Sequence, residues 1–134
     1  MLKTYRGSCH CGAVAFEADI DLALGTNKCN CSTCTKTRNW NVIIKPDAFR
    51  LLSGRDSLSE YRFGTGQGQQ LFCRNCGVRS FERGHVKEIG SDYVSVKVAC
   101  LDDVELAELI AAPVKYANGR ENKWWEVPAE TRHL

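Results

Sequence analysis

The amino-acid sequence predicts a mainly β fold, an all-β domain of two packed sheets. Three observations predict it. Short runs of alternating apolar and polar residues recur along the chain, as strands with one buried face require. Glycine, proline and small polar residues punctuate these runs at turn-like intervals. Seven of the eight cysteines fall into three tight groups, and such knuckles commonly tie the ends of short strands through a shared metal ion.

The elements follow in chain order. Ala13 to Ala18 alternates around Val14 and Phe16 and reads as a half-buried strand. Residues 27–38 are dense in Cys, Asn, Ser and Thr and read as a metal-holding loop. Trp40 to Ile44 is strand-like and stops before Pro46, and Phe49 to Leu52 is a further short strand followed by a turn at Gly54 to Asp56. Leu58, Tyr61 and Phe63 mark the next strand, which a flexible stretch with Gly64, Gly66 and Gly68 ends. Gln70 to Phe72 leads into a CRNC knuckle and Val78 to Phe81 leads away from it, in the manner of a zinc-ribbon hairpin. Tyr93 to Val98 places Val94, Val96 and Val98 on one face. Only Asp103 to Ala112 has helical character, and Pro113 ends it. No repeat, low-complexity segment or domain boundary interrupts the chain, so residues 1–134 are expected to form a single domain.

Composition narrows the function classes. With 134 residues, 43% of them hydrophobic, the chain suffices for one core and is too apolar for wholesale disorder. No apolar run approaches the roughly 18 residues that cross a bilayer, and the start MLKTYRGSCHCG lacks the apolar segment of a secretory signal. Membrane partners are not expected. Eighteen Lys and Arg against sixteen Asp and Glu are scattered rather than clustered, which argues against nucleic acid as a partner. Eight cysteines in a chain with no export signal point to a cytoplasmic protein whose thiols hold metal rather than disulfides.

The cysteine groups are Cys9 and Cys11 in CHCG, Cys29, Cys31 and Cys34 in CNCSTC, and Cys73 and Cys76 in CRNCG. Cys100 stands alone. Gly12 and Gly77 follow the outer pairs and suit the tight turn that a knuckle needs. The simplest partition is four plus three. Cys9, Cys11, Cys73 and Cys76 make a closed four-thiolate site that joins distant parts of the chain. Cys29, Cys31 and Cys34 give three ligands and an open fourth position. Closed sites are characteristically structural and open ones characteristically catalytic. Other combinations satisfy the same count, and one of them closes the triplet with Cys100, His10 or His85 and leaves two structural ions. Zinc suits compact all-thiolate sites, and an iron tetrathiolate centre is the other candidate.

At these residues the sequence resembles the Gfa-like family, the glutathione-dependent formaldehyde-activating enzymes that carry the CENP-V/GFA domain. The shared features are G-S-C-H-C-G at Gly7 to Gly12, C-N-C-S-T-C at Cys29 to Cys34, F-C-R-N-C-G at Phe72 to Gly77 and VACLD at Val98 to Asp102. The tail PVKYANGRENKWW is similar to that of a bacterial branch of the family. The resemblance implies an Mss4-like fold of small antiparallel sheets tied by a four-cysteine zinc site. It implies two Zn2+ per chain: a structural zinc on Cys9, Cys11, Cys73 and Cys76, and a catalytic zinc on Cys29, Cys31 and Cys34. It also implies a carbon–sulfur lyase activity that joins a small thiol such as glutathione to an aldehyde, giving S-hydroxymethylglutathione from formaldehyde. The family often carries His between the first two cysteines of the triplet; here that place is Asn30, which is not a ligand position.

Three functional readings compete. The leading one is the zinc-dependent carbon–sulfur lyase. The second is a non-catalytic zinc-binding module for protein interaction. The third is a methionine sulfoxide reductase-like enzyme that uses Cys100, against which the intact CxCxxC triplet argues; core packing is the plainer account of that thiol. Around the triplet, Lys36, Arg38 and Trp40 are candidates to receive a substrate carboxylate or flank its entry, with a solvated loop and one core aromatic as the plainer account. His10 is expected to point outward, and His85 is a candidate proton shuttle, with a surface histidine as the plainer account. Trp124 and Trp125 are expected to clamp the tail onto the body, with a place beside a ligand cleft as the alternative.

Overall fold

The computed structural model describes every residue except Gln67, Glu88 and Ile89. Among the described residues, ten strands form two sheets. The small sheet holds β1 (Lys3–Ser8), β2 (Ala15–Ile20) and β5 (Phe49–Ser53), in the order β1-β2-β5. The large sheet holds β3 (Thr26–Cys29), β4 (Trp40–Ile44), β6 (Leu58–Tyr61), β7 (Gly68–Cys73), β8 (Phe81–Val86), β9 (Ser91–Lys97) and β10 (Val114–Ala117). Its order is β10-β3-β4-β9-β8-β7-β6, with antiparallel neighbours except for β10, which runs parallel to β3. Among the described residues, two six-residue α-helices, α1 (Ser32–Thr37) and α2 (Leu106–Ala111), and several short 3-10 turns join the strands. The mainly β, Mss4-like architecture expected from the sequence is the one observed.

The core lies between the sheets. Val14, Phe16, Ala18 and Ile20 point inward from the small sheet and its approach; Val42, Phe81, Val94 and Val96 face them from the large one. Phe16, Phe49 and Phe81 form an aromatic trio, with ring centroids 4.6 to 6.0 Å apart. This is close to the preferred spacing of offset and edge-to-face pairs. The Arg83 guanidinium covers the Phe49 and Phe81 rings at 5.3 and 5.6 Å.

Several expectations need correction. β1 was not anticipated, because only Tyr5 and Gly7 of its six residues face inward and neither makes an apolar alternation visible. Residues 27–38 are not a loop throughout: β3 delivers Cys29, and α1 begins directly after Cys31. The strand at Leu58 ends at Tyr61, and Phe63 stacks on the Tyr61 ring at 5.8 Å instead of extending it. Part of the glycine stretch that follows, Gln67, lies outside the described residues. The helix expected from Asp103 begins only at Leu106. In contrast, β4 coincides with the expected Trp40 to Ile44, and Val94, Val96 and Val98 are all fully buried on one side of β9 and the turn after it.

The two faces of the large sheet differ in a way that matters for function. Its inner face is apolar core. On the outer face, register places Asn41 opposite Asn27 and Lys97, Ile43 opposite Ser95, and Ser95 opposite Glu82. These polar side chains are largely buried rather than solvated, and among the described residues every buried side-chain nitrogen and oxygen has a hydrogen-bond partner. A buried polar face of this kind forms the floor of a cavity.

Candidate metal centre

The first cysteine cluster joins the two sheets. Cys9 and Cys11 follow β1 of the small sheet, while Cys73 ends β7 of the large sheet and Cys76 lies in the turn beyond it. Both knuckles close with a short backbone bond, from Gly12 N–H to the Cys9 carbonyl at 3.1 Å and from Gly77 N–H to the Cys73 carbonyl at 2.6 Å. Gly12 and Gly77 adopt φ of 81° and 78°, the left-handed region that an L side chain resists, so the expectation that they make the knuckle turns is met. All four sulfurs lie within 4.8 Å of one another. The Cys9–Cys11 and Cys11–Cys73 sulfur separations are both 3.7 Å. Two thiolates bound at about 2.3 Å to one tetrahedral ion stand about 3.8 Å apart, so the donor set and spacing fit a zinc-like ion.

The second cluster is local. Cys29 ends β3, Cys31 caps α1, and Cys34 sits in its first turn. The three sulfurs also fall within 4.8 Å of one another, and among the described residues no fourth Cys, His, Asp or Glu joins them. Cys100, His10 and His85, the candidates to close the triplet, are all elsewhere. The backbone N–H of Cys31 donates to Cys29 Sγ at 3.3 Å, and the Asn39 side-chain amide donates to Cys34 Sγ at 3.4 Å. Crowding divides the thiols. Hydrogen bonds from Cys29, then Cys34, hold Cys31 far below the usual thiol range, while Cys34 is pushed up by the bonds it gives first to Cys29 and then to Cys31. Cys29 is pushed up as well, chiefly by its bond to Cys31.

These three half-buried thiols open onto a cavity of about 680 Å³ on the outer face of the large sheet. None of the four cysteines of the first cluster lines it. Asn41, Ser95, Glu82 and Gln70 make its floor, Phe63 and Ile43 give it apolar patches, and Lys28 and Arg120 bring positive charge. The tail supplies one wall. Gly119 passes so close to the cluster that a Cβ there would lie 2.7 Å from Cys29 Sγ and 2.5 Å from the Trp124 ring. Asn30 pins this segment: its amide donates to Asn118 Oδ1 at 3.0 Å, its side-chain oxygen accepts from the Arg120 N–H at 3.0 Å, and its carbonyl accepts from Arg120 Nε at 3.0 Å. The residue that stands in place of histidine therefore positions the tail and leaves the thiol cluster intact.

A sequence model of the family described as glutathione-dependent formaldehyde-activating enzyme matches residues 4–117. The chain belongs to that family. A Halomonas elongata protein provisionally named a glutathione-dependent formaldehyde-activating enzyme is 35% identical over 78 residues. The match covers 52% of the chain and 50% of the relative, so the matched segment spans half the length of that protein. The crystal structure of a Rhodobacter sphaeroides protein superposes with a TM-score of 0.67 at 29% identity, covering 82% of this chain and 99% of the other. The matched residues include all seven clustered thiols, while Gly119, Arg120 and Trp124 of the cavity wall lie beyond them.

Other expected site residues fall differently. Lys36 and Arg38 do not line the cavity; they lie on the exposed side of α1, and Arg38 ends that helix in the left-handed region at φ 50°. Trp40 donates its indole N–H to Thr26 Oγ1 at 2.8 Å and packs against the core. The cations beside the cavity are Lys28 and Arg120 instead. Trp125 is 79% exposed and clamps nothing, while Trp124 borders the cavity, which was the alternative expectation for the pair. His10 is exposed, and His85 Nδ1 lies 2.6 Å from Asp92 Oδ1 at the surface. Cys100 belongs to neither cluster, and burial pushes its thiol up, which opposes a nucleophilic role. Asn39, Glu82 and Lys97 were missed altogether: Asn39 reaches Cys34 through the turn that ends α1, and strand register brings Glu82 and Lys97 in behind it.

Proposed function

We propose that residues 1–134 form one zinc domain that acts as a carbon–sulfur lyase, forming or cleaving a thiol–aldehyde adduct such as S-hydroxymethylglutathione. Cys9, Cys11, Cys73 and Cys76 hold a structural zinc, and Cys29, Cys31 and Cys34 hold a second ion with one position open. The observation that carries this reading is the unequal placement of the clusters: only the three-cysteine group opens onto the large cavity. A zinc ion held by Cys29, Cys31 and Cys34 would supply acidity, lowering the pKa of a thiol beside it.

The chain's own residues do the rest. The three cysteines fix the point at which the sulfur enters. The cavity exceeds a small tripeptide thiol in volume, so the thiol and the one-carbon unit have room to meet inside it. Lys28 and Arg120 offer positive charge to substrate carboxylates at the rim, and the Trp124 ring forms part of the cavity wall. Such a site lowers the barrier mainly by holding the two reactants in contact. Three thiolates leave the site net negative, which favours delivery of a thiolate over polarisation of a carbonyl. The family match and the name of the Halomonas elongata relative support the substrate pair.

The test is exchange NMR between glutathione and formaldehyde, with and without the metal-loaded protein. The protein is expected to accelerate exchange, and Cys31→Ala to remove that acceleration while leaving the fold intact. Acceleration that survives Cys31→Ala would sink the assignment of the triplet.

A further inference from the structure

A line of buried polar side chains runs behind Cys34. Lys97, the last residue of β9, is only 8% exposed. Its ammonium lies 3.1 Å from Glu82 Oε1, and the two side chains are 10% and 14% exposed. The same ammonium donates to Asn39 Oδ1. An ion pair this deep is costly to desolvate and contributes little net stability by itself, so its place in the floor of the cavity calls for another account.

That account lies in the orientation of one amide. Lysine has donors and no acceptor, so the Asn39 side chain has to present its oxygen to Lys97. Its NH2 group is thereby turned the other way, where it lies 3.4 Å from Cys34 Sγ. The Asn39 backbone N–H also donates to the Cys34 carbonyl at 3.0 Å, so one residue grips the cysteine at both ends. With a free amide the two orientations would compete; with Lys97 in place only one survives.

We infer that Glu82, Lys97 and Asn39 form a positioning relay that holds an N–H donor on the Cys34 sulfur. The relay rests on the reading of the triplet as a metal site. It fixes the direction of that sulfur and draws charge from it, so that the three crowded thiolates repel one another less around a bound cation. Glu82 holds the ammonium in place, Lys97 sets the amide, and Asn39 makes the contact. Partners of this kind behind metal ligands are worth about 10–100-fold in affinity.

The test uses Co2+ in place of the native ion, followed through its sulfur-to-metal charge-transfer bands and by chelator competition. The spectrum of Cys31→Ser protein, which keeps only the four-cysteine site, is subtracted from the others. Asn39→Asp keeps the size and the Lys97 contact and removes the N–H donor; Glu82→Gln/Lys97→Met removes the orienting pair without leaving a lone charge. For Asn39→Asp the three-cysteine bands are expected to move to longer wavelength and Co2+ affinity there to fall about 10-fold or more. The double variant should move both in the same direction by less, and the four-cysteine bands should stay unchanged. Unchanged three-cysteine bands and affinity in Asn39→Asp overturn the relay, as does equal weakening of both sites, which would mark a general loss of structure. Absence of any three-cysteine bands in the unsubstituted protein overturns the metal reading and the relay together.

Discussion

Gly7 offers a sharp test of how the small sheet is packed. It pairs with Phe16 across β1 and β2, and on its other side it bridges to Leu101. A Cβ on Gly7 would stand 2.8 Å from Phe16 Cε2, nearer still to Cζ, and 2.9 Å from the Cys100 carbonyl oxygen. Neither neighbour can give way. Phe16 is fully buried and stacked 5.2 Å from Phe49, and the other obstacle is backbone. The φ of Gly7 is not left-handed, so the cost of Gly7→Ala is steric rather than conformational. Overpacking of this kind costs about 1–3 kcal/mol. For a chain of this size each kcal/mol lowers the melting temperature by about 3–5 °C, so Gly7→Ala should melt roughly 3–15 °C below the parent. Thermal unfolding of the metal-loaded proteins by circular dichroism is the assay. Gly68→Ala is the control, since its new Cβ would find only the Gln70 amide at 3.5 Å, an ordinary contact. A Gly7→Ala protein that melts within about 2 °C of the parent would refute the packing argument.

Two further outcomes are expected. Cys73→Ser should yield no stably folded protein, because structural zinc contributes roughly 10–16 kcal/mol in small domains and a whole domain is stable by only about 5–15 kcal/mol; Cys31→Ser should melt within a few degrees of the parent, and similar melting of the two variants would contradict the division of roles. In metal-loaded protein, Cys100 should be the thiol that alkylating reagents reach, slowly at pH 7.5 and faster up to and beyond pH 9, since burial raises its pKa and leaves little thiolate at neutral pH. Mass mapping after iodoacetamide should then find Cys29, Cys31 and Cys34 modified only after chelation, and early labelling of the triplet would count against a bound ion there.

The sequence showed those parts of the molecule whose cause is local. Val94, Val96 and Val98 alternate because one side of β9 faces the core, and β4 stops where Pro46 forces the chain away, so both were legible. The thiol spacing was legible for the same reason, since a knuckle is a local device. β1 was hidden because its inward position opposite Phe16 has to be glycine, which erases the apolar signal that betrays a strand. α1 was hidden too: STCTKT has no apolar stripe, and its turn is held by cysteine placement and by Thr35 donating to the Asn30 carbonyl at 3.1 Å. The back of the site was invisible on different grounds. Ser95 and Lys97 occupy positions of β9 that alternation assigns to solvent, and only the pairing of β8 with β9 and β4 turns that face into a cavity floor with Glu82 and Asn41 beside them.

The contrast between the two cysteine clusters is also a contrast in what binding a metal has to accomplish. The first cluster draws ligands from segments more than 60 residues apart and from both sheets, and its Cys11 to Cys73 contact spans 62 positions. Without an ion, four thiols would have to be held together against their own repulsion and against the entropy of a long closed loop. On the proposed reading, most of an ion's binding energy there would be consumed in assembling the fold, and its release would be coupled to unfolding. The second cluster lies within six residues. Its geometry follows from the end of β3, the start of α1 and the hydrogen bonds of Asn30 to the tail, none of which requires the ion. On the proposed reading, an ion bound there would leave the fold where it was, so one thiol could exchange for another beside it without disturbing the core. A site used for reversible chemistry needs that independence, and a site used to hold two sheets together cannot have it.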